Sequence, residues 1–205
     1  MSSKRLKRLI AVFFISISLG FCFYVYAEEK GSVEDINNSI VRFHIRANSN
    51  TELDQDIKMA AREYFFKNFS LKNAENKEEA LLYFSKNERK IEETLNRFLE
   101  EQNVSYKCNV KIKKEMFPIR EYNDFTLPAG VYDALIITLG KGEGDNFFCV
   151  MYPSLCMLDG VTQTTDEKLE LLEGVLADEE IKLISSDSEK TVIKFKIIEI
   201  FDKFF

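Results

Sequence analysis

The chain has 205 residues, a net formal charge of −6 and a sequence pI near 5.1. Hydrophobic residues make up 45% and charged residues 30%, a balance typical of a globular domain. Proteins built mainly to bind nucleic acid are normally basic, so the acidic balance argues against a nucleic-acid partner. The sequence holds 1 histidine, which excludes a metal centre made from several histidines of one chain. We expect no metal and no cofactor.

The first 27 residues have the layout of a secretory signal peptide. A basic stretch over residues 4–8 precedes the uncharged apolar run Leu9–Tyr26. Val25 and Ala27 supply the small residues that precede a cleavage site, so cleavage is expected after Ala27. The run also approaches the length of about 20 residues that a spanning helix needs, so an uncleaved anchor is the alternative. In both cases the rest of the chain is predicted to be exported.

The first predicted elements follow this segment in chain order. Residues 28–38 are polar and predict a flexible lead-in. Residues 40–46 alternate apolar and polar side chains, which predicts a half-buried strand. Its polar face carries Arg42, His44 and Arg46. Apolar residues at helical spacing then predict two amphipathic helices, Leu53–Phe69 and Lys77–Glu101.

Three further strands are predicted in the second half of the chain, at Val104–Phe117, Val131–Leu139 and Asn146–Tyr152. Gly140–Asp145 reads as a glycine-rich hairpin loop that joins the last two. Residues from about 160 to 190 form an acidic segment with a short helix near Asp166–Glu173, and residues 191–205 suit either a helix or a strand. The fold class predicted is α+β: a single domain over residues 39–205, with a small antiparallel or mixed sheet packed with two long helices.

Catalytic and disulfide chemistry both depend on a few residues. His44 is the only imidazole base, and Cys149 or Cys156 could pair with it in an exported thiol-dependent hydrolase. No part of the sequence resembles a cysteine-hydrolase signature, so we expect no catalytic residue and no enzyme. Cys149 and Cys156 flank Pro153 and suit a local disulfide in an exported protein; buried free thiols are the alternative.

Polar residues around the first strand and helix form a candidate recognition surface. On composition alone, ordinary surface charges explain them equally well. The strand contributes Arg42, His44 and Arg46, Asn48 follows it, and the helix adds Asp54, Gln55, Lys58 and Arg62. Lys58 and Arg62 share one helix face because they are four residues apart.

Two segments resemble a known family. The first is Val41–Ser49, continued by Asp54, Gln55, Lys58 and Arg62; the second is Leu127–Cys156, with Gly142 and Gly144 in its loop. Together they resemble stage II sporulation protein R of endospore-forming Firmicutes. The departures are mild. Phe147 and Phe148 stand where the family usually has two tryptophans, Ser154 replaces a proline, and Asn50 replaces an aspartate.

The resemblance implies an intercellular signal. Proteins of this family are made in the forespore and exported into the space between the forespore and mother-cell membranes. There they activate a membrane-embedded aspartic protease, which cleaves the pro-form of the early mother-cell sigma factor. No small-molecule substrate is expected. An anchored structural protein of the envelope and the thiol-dependent hydrolase remain as alternatives. The residues expected to bind the partner are Arg42, His44, Arg46, Asn48, Asp54, Gln55, Lys58, Gly142, Gly144, Phe147 and Phe148.

Overall fold

The computed structural model describes residues 3–69, 71, 74–122, 125–157, 170–185, 191–192, 195–196, 198 and 200. Its helices are α1 (Ser3–Ser39), α2 (Glu52–Asn68), α3 (Lys77–Glu101) and α4 (Asp178–Ser185). Its strands are β1 (Val41–Arg46), β2 (Cys108–Phe117), β3 (Arg120–Glu121), β4 (Thr126–Leu127), β5 (Gly130–Leu139) and β6 (Asn146–Tyr152). A 3-10 turn, Leu155–Met157, follows β6.

The acidic segment and the C-terminus are described in part. Residues 170–173 are helical, as predicted near Asp166–Glu173, whereas residues 158–169 and 186–190 lie outside the described residues. The described residues between 191 and 200 are helical, so they follow the helical alternative.

Four strands form a mixed sheet in the order β2-β5-β1-β6. β1 runs parallel to β5 and antiparallel to β6, while β2 and β5 are antiparallel. Phe43 therefore pairs with Leu135 on one side and with Cys149 on the other. This arrangement confirms the predicted α+β class and selects the mixed form of the sheet.

Helices cover both faces of this sheet. α2 and α3 pack their apolar stripes on the first face, against Phe43 and Ile45 of β1. The last turns of α1 pack on the second face together with α4 and the short β3–β4 ribbon, where Phe117 and Tyr132 lie in the core. The sheet is thus the middle of three layers, an arrangement that removes both of its faces from water.

The burial of β1 differs from the half-buried strand that its alternation predicts. Arg42 is 0% exposed and His44 is 1% exposed, although both lie on the polar side of the strand. The alternation is real, because Val41, Phe43 and Ile45 face the opposite layer. The prediction of a solvent-facing side was wrong because a second apolar layer, formed by residues distant in sequence, covers it.

Residues 28–38 also differ from their prediction. They continue α1 without a break, whereas a flexible lead-in was expected. Val33, Ile36 and Ile40 follow helical spacing and are buried in the second layer. Lys77 fixes the end of this helix: its Nζ donates to the Asn38 carbonyl at 2.7 Å and pairs with Asp133 at 2.7 Å. The N-terminal part of α1, from Val12 onward, is long and apolar enough to cross a membrane.

The loop over residues 140–145 is not a hairpin. β5 and β6 both pair with β1 and not with each other, so the loop passes over the carboxyl end of β1 to reach the far side. The glycine-rich composition correctly indicated a tight loop. The error lay in the pairing, which is set by a strand almost 100 residues earlier.

Side chains of α3 cover the free edge of strand β2. Asn96, Glu92 and Glu88 accept hydrogen bonds from the backbone N–H groups of Cys108, Val110 and Ile112 at 2.8, 2.9 and 3.3 Å. Four helical residues advance about 6 Å and two strand residues about 6.6 Å, so the two periods nearly match. This ladder blocks part of an edge that would otherwise invite strand pairing.

The docking of α1 gives a first prediction. We expect Ile36→Ala, at a side chain that is 0% exposed, to lower the free energy of unfolding by about 2–5 kcal/mol. The matched change Ile15→Ala, at a side chain that is 59% exposed, should lower it by less than about 0.5 kcal/mol. Denaturant unfolding of the full chain in neutral detergent measures both. Equally small effects would contradict the docking of α1.

Candidate functional site

Most of the predicted partner-binding residues meet where the chain leaves β1. We call this cluster the polar junction and define it as Asn48, Ser49, Asn50, Asp54, Gln55, Lys58 and the loop over residues 140–145. Its first contacts are backbone bonds, from Gly144 N to the Ala47 carbonyl at 3.0 Å and from Glu143 N to the Asn48 carbonyl at 3.2 Å. They attach the crossing loop to the carboxyl end of β1.

Asn48 joins the loop to α2 through its side-chain amide. Its Oδ1 accepts from the backbone N–H of Lys141 at 3.0 Å, and its Nδ2 donates to Asp54 Oδ2 at 2.9 Å. An amide suits this position because it supplies a donor and an acceptor at once. Neither a carboxylate nor a lysine could make both bonds.

Asp54 is the centre of the junction's hydrogen bonds. It lies in the first turn of α2, whose N-cap is Thr51, and it is buried. Besides Asn48, its carboxylate accepts from Ser49 Oγ and from the Tyr106 hydroxyl, the latter at 2.7 Å. Burial alone would raise the pKa of Asp54, but these hydrogen bonds outweigh burial and hold the pKa below its usual value. Burial and the bond to Asp54 raise the pKa of Tyr106.

A second group of bonds fixes the far end of the loop. Asn50 Oδ1 accepts from Asp145 N at 2.7 Å and from Gln55 Nε2 at 3.2 Å. Lys58 Nζ donates to Gln55 Oε1 at 2.6 Å and to the Asp145 carbonyl at 3.2 Å. Burial lowers the pKa of Lys58, while the nearby Asp145 carboxylate acts in the opposite direction. Lys58 is therefore an internal bridge, not the exposed cation that was predicted.

The glycines of the loop are required by close approach. A Cβ at Gly140 would collide with Asn48 Oδ1, and one at Gly144 would collide with the Ser49 carbonyl oxygen. Gly140 and Gly142 also adopt φ values of 54° and 66°, in the left-handed region that favours glycine. Gly142 and Gly144 thus have a structural reason to be glycine, whatever else they do.

Arg42 is a structural cation of the second layer. Its guanidinium lies 4.6 Å from the centroid of the Phe117 ring and 5.0 Å from that of Tyr132. Its Nε donates to the Cys149 carbonyl and its Nη2 to the Tyr122 hydroxyl, both at 3.2 Å. Stacking on aromatic faces and bonds to neutral acceptors replace much of the lost hydration, while Nη1 has no partner among the described residues. A partner cannot reach Arg42 without unfolding this layer.

His44 lies beside Arg42 on the same face. Its ring is packed between Phe117 and Phe148, with centroids 5.4 and 5.5 Å away. Burial, and then the positive charge of Arg46, lower its pKa to about 4, so the imidazole is neutral at pH 7. Neither ring nitrogen has a hydrogen-bond partner among the described residues. A buried polar group without a hydrogen-bond partner lowers the stability of a folded protein by about 1–3 kcal/mol.

The remaining predicted residues, Arg46, Phe147 and Phe148, contact charged side chains of other segments. Arg46 donates to Glu115 at 3.1 Å. The Phe147 ring lies 4.4 Å from the Arg62 guanidinium, and the Phe148 ring lies 4.2 Å from that of Arg120. Phe147 and Phe148 therefore each contact the guanidinium of an arginine.

Sequence reasoning missed several members of the site, namely Asn50 as a hydrogen-bonding residue, Thr51, Tyr106, Glu115, Arg120 and Asp145. Thr51 carried a local signal, since a threonine directly before a helix is a common N-cap. Asn50 lies in the same turn as Asn48, but its bond to Asp145 is long-range. Tyr106, Glu115, Arg120 and Asp145 join the site from distant segments, so no local pattern could have indicated their roles.

The cysteines and His44 lie on opposite faces of the sheet. Cys149 and Cys156 are joined by a disulfide, with Cα atoms 5.5 Å apart, and both belong to the core under α2 and α3. His44 faces the other layer, so the structure does not assemble the cysteine–histidine pair of the hydrolase alternative. Among the described residues, no group of three or more His, Cys, Asp or Glu side chains could hold a metal ion.

Thiol labelling tests this arrangement. In the native full chain, maleimide at neutral pH should leave Cys108, Cys149 and Cys156 unmodified. Burial, and then the nearby Glu92, raise the pKa of the buried Cys108 thiol to about 12, so it is protonated. After denaturation without reductant, only Cys108 of the three should react, as read by peptide mass mapping. Labelling at Cys149 or Cys156 before reduction would contradict the disulfide.

The carboxylate of Asp54 gives a prediction with a pH dependence. We expect Asp54→Asn to lower the free energy of unfolding at pH 7 by about 1–3 kcal/mol, because it removes acceptors for buried donors. The folded-state pKa is lowered, so this stabilisation is complete above the unfolded pKa near 3.9 and is lost as pH falls through the folded value. The difference from wild type should therefore shrink in acid. Asp56→Asn, at an exposed position on the same helix, is the control and should change little at any pH.

The comparisons with known proteins agree with the resemblance. Residues 37–162 match the family described as stage II sporulation protein R. The chain is 28% identical, over an alignment of 215 residues, to stage II sporulation protein R of Bacillus subtilis strain 168; the alignment covers 94% of this chain and 96% of that relative. No solved structure matches. Because the family match spans more than half of the sequence, the chain belongs to the stage II sporulation protein R family.

Proposed function

We propose that this chain is an exported sporulation signal that activates a membrane-embedded aspartic protease of the mother cell. Activation leads to cleavage of the pro-form of the early mother-cell sigma factor. The observation that carries the proposal is membership of the stage II sporulation protein R family over residues 37–162, which is consistent with a sporulation role. Only the family resemblance supports the parts of the proposal that concern the protease and the sigma factor.

The N-terminal helix supports export. α1 is long and apolar enough to cross a membrane, and its side chains from Val12 to Phe21 are exposed. Such a helix is compatible with a signal peptide or with an anchor. Cleavage after Ala27 would leave Val33 and Ile36 in place, so the exported domain would keep the helical turns that its second layer needs.

The polar junction supports a binding role over a catalytic one. Asn48, Asp54, Gln55 and Lys58 bind one another and the crossing loop, which leaves none of them poised as a nucleophile or base. Their contribution to partner binding is therefore indirect: they hold the loop in a fixed shape. We place the contact on the exposed side of this loop, at Glu143, Asp145 and Asn146, and on the neighbouring ring of Phe148.

A fixed loop suits an activator. A ligand shifts a protease toward its active form only if it binds that form more tightly than the inactive one. A shift from mostly inactive to mostly active needs about 5.5 kcal/mol of differential binding. A rigid surface loses less entropy on binding than a mobile one, so more of its contact energy is available for this selection.

Gene deletion tests the function. We expect deletion of the gene for this chain to cause accumulation of the uncleaved pro-sigma factor during sporulation, as seen by immunoblot. Complementation with the wild-type chain should restore cleavage, and a chain carrying Asp56→Asn should restore it equally well. Normal processing without the gene would contradict the proposal. In that case the anchored envelope role becomes the better reading, and the mass of the exported form would show whether residues 1–27 are retained.

A further inference from the structure

A cavity of about 400 Å³ lies beside the carboxyl end of β1. It opens next to the polar junction but does not include the side chains of Asn48, Asp54 or Lys58. The side chains that give it its chemistry are His44, Arg46, Arg120, Asp145, Asn146 and Phe148.

Two residues that line this cavity carry enclosed nitrogens without a hydrogen-bond partner. His44 lines it and is 1% exposed, yet both of its ring nitrogens lack a partner among the described residues. The same holds for Nε of Arg46, whose Nη2 donates to Glu115. Buried polar atoms in folded proteins are nearly always paired. His44 and Arg46 therefore line a cavity and leave three nitrogens without a hydrogen bond from the described residues, which makes this cavity a candidate place for a bound group.

The charges at the cavity indicate the kind of group. Arg46 and Arg120 place two guanidinium groups at its walls, and the Arg120 guanidinium lies over the Phe148 ring, 4.2 Å from the ring centroid. Guanidinium groups bind planar oxyanions with two parallel hydrogen bonds. The carboxylates of Asp145 and Glu115 lie close by, so a dianion such as phosphate meets more repulsion than a singly charged carboxylate.

We propose that this cavity binds the carboxylate of an acidic side chain presented by a partner protein. Arg46 and Arg120 supply the positive charge and the hydrogen bonds, and the buried His44 ring in the cavity wall senses the charge of the carboxylate. The binding of an acidic peptide does not depend on the proposed function; only the identification of its owner as the protease rests on that function.

The pKa of the His44 imidazole reports whether a carboxylate is bound in the cavity. Arg42, Arg46 and Lys113 favour the neutral form of His44 and Glu115 favours the charged form, with burial as the largest influence on its low pKa. A bound carboxylate adds a negative charge beside the ring and should raise that pKa by about 1 pH unit. The chain has 1 histidine, so its resonances are assigned without ambiguity.

The test uses the full-length chain, labelled with ¹⁵N-histidine, in neutral detergent micelles. The probes are a capped peptide of alternating Glu and Ala, the matched Gln and Ala peptide, and inorganic phosphate. We expect the Glu peptide to move the His44 nitrogen resonances saturably and to raise the His44 pKa. The Gln peptide should have no effect, and phosphate should bind more weakly than the Glu peptide.

Two variants separate the site from general attraction to a cation. Arg120→Gln changes an exposed side chain that lines the cavity, and should lower the affinity for the Glu peptide about tenfold. Lys90→Gln makes the same charge change at an exposed side chain on α3, outside the cavity and the polar junction, and should leave binding unchanged. Equal binding by Arg120→Gln and wild type, tighter binding of phosphate, or no response to the Glu peptide would overturn the proposal. These outcomes are independent of sigma-factor processing in the cell.

Discussion

The position of β1 is the constraint on which the rest of the structure depends. It lies inside the sheet between β5, which runs parallel to it, and β6, which runs antiparallel. The chain that leaves β5 must therefore pass over the carboxyl end of β1 to reach β6. That passage brings the loop against the turn after β1. Gly140 lies against the Asn48 side chain and Gly144 against the Ser49 carbonyl, and the passage exposes polar groups that need partners. Asn48 and Asn50 supply those partners from the strand side.

Covering both faces of β1 has a second consequence. A strand that alternates apolar and polar residues normally keeps its polar side in water. Here the end of α1 and the residues around Phe117 and Tyr132 cover that side, so Arg42 and His44 are enclosed. Arg42 has two aromatic rings and two acceptors, although its Nη1 has no partner among the described residues, whereas both ring nitrogens of His44 lack one. Arg42 is a structural residue, while His44 also lines the cavity and is therefore a candidate for binding.

The candidate site also shows which of its residues could be predicted from the sequence and which contacts could not. Asn48, Asp54, Gln55, Lys58 and Gly144 were each proposed as partner-binding residues, and they are neighbours in the structure. Their interpretation as a recognition surface was incomplete, because their side chains form hydrogen bonds with one another and with the crossing loop. Tyr106 and Asp145 complete the set from segments that are more than 50 and 85 residues away from their partners. Side chains that serve as hydrogen-bond partners over such distances leave no periodic signal.

Features that depend on neighbouring residues could be predicted from local patterns. Helical spacing predicted α2 and α3, the apolar run predicted the membrane-length helix, and short separation made the Cys149–Cys156 pairing plausible. Only the tertiary structure decided that residues 28–38 continue a helix, that Arg42 and Lys58 are buried, and that the glycine-rich loop crosses a strand. The physical reason is the same in each case. Local spacing fixes which side of an element is apolar, but the second layer that covers its polar side comes from residues far along the chain.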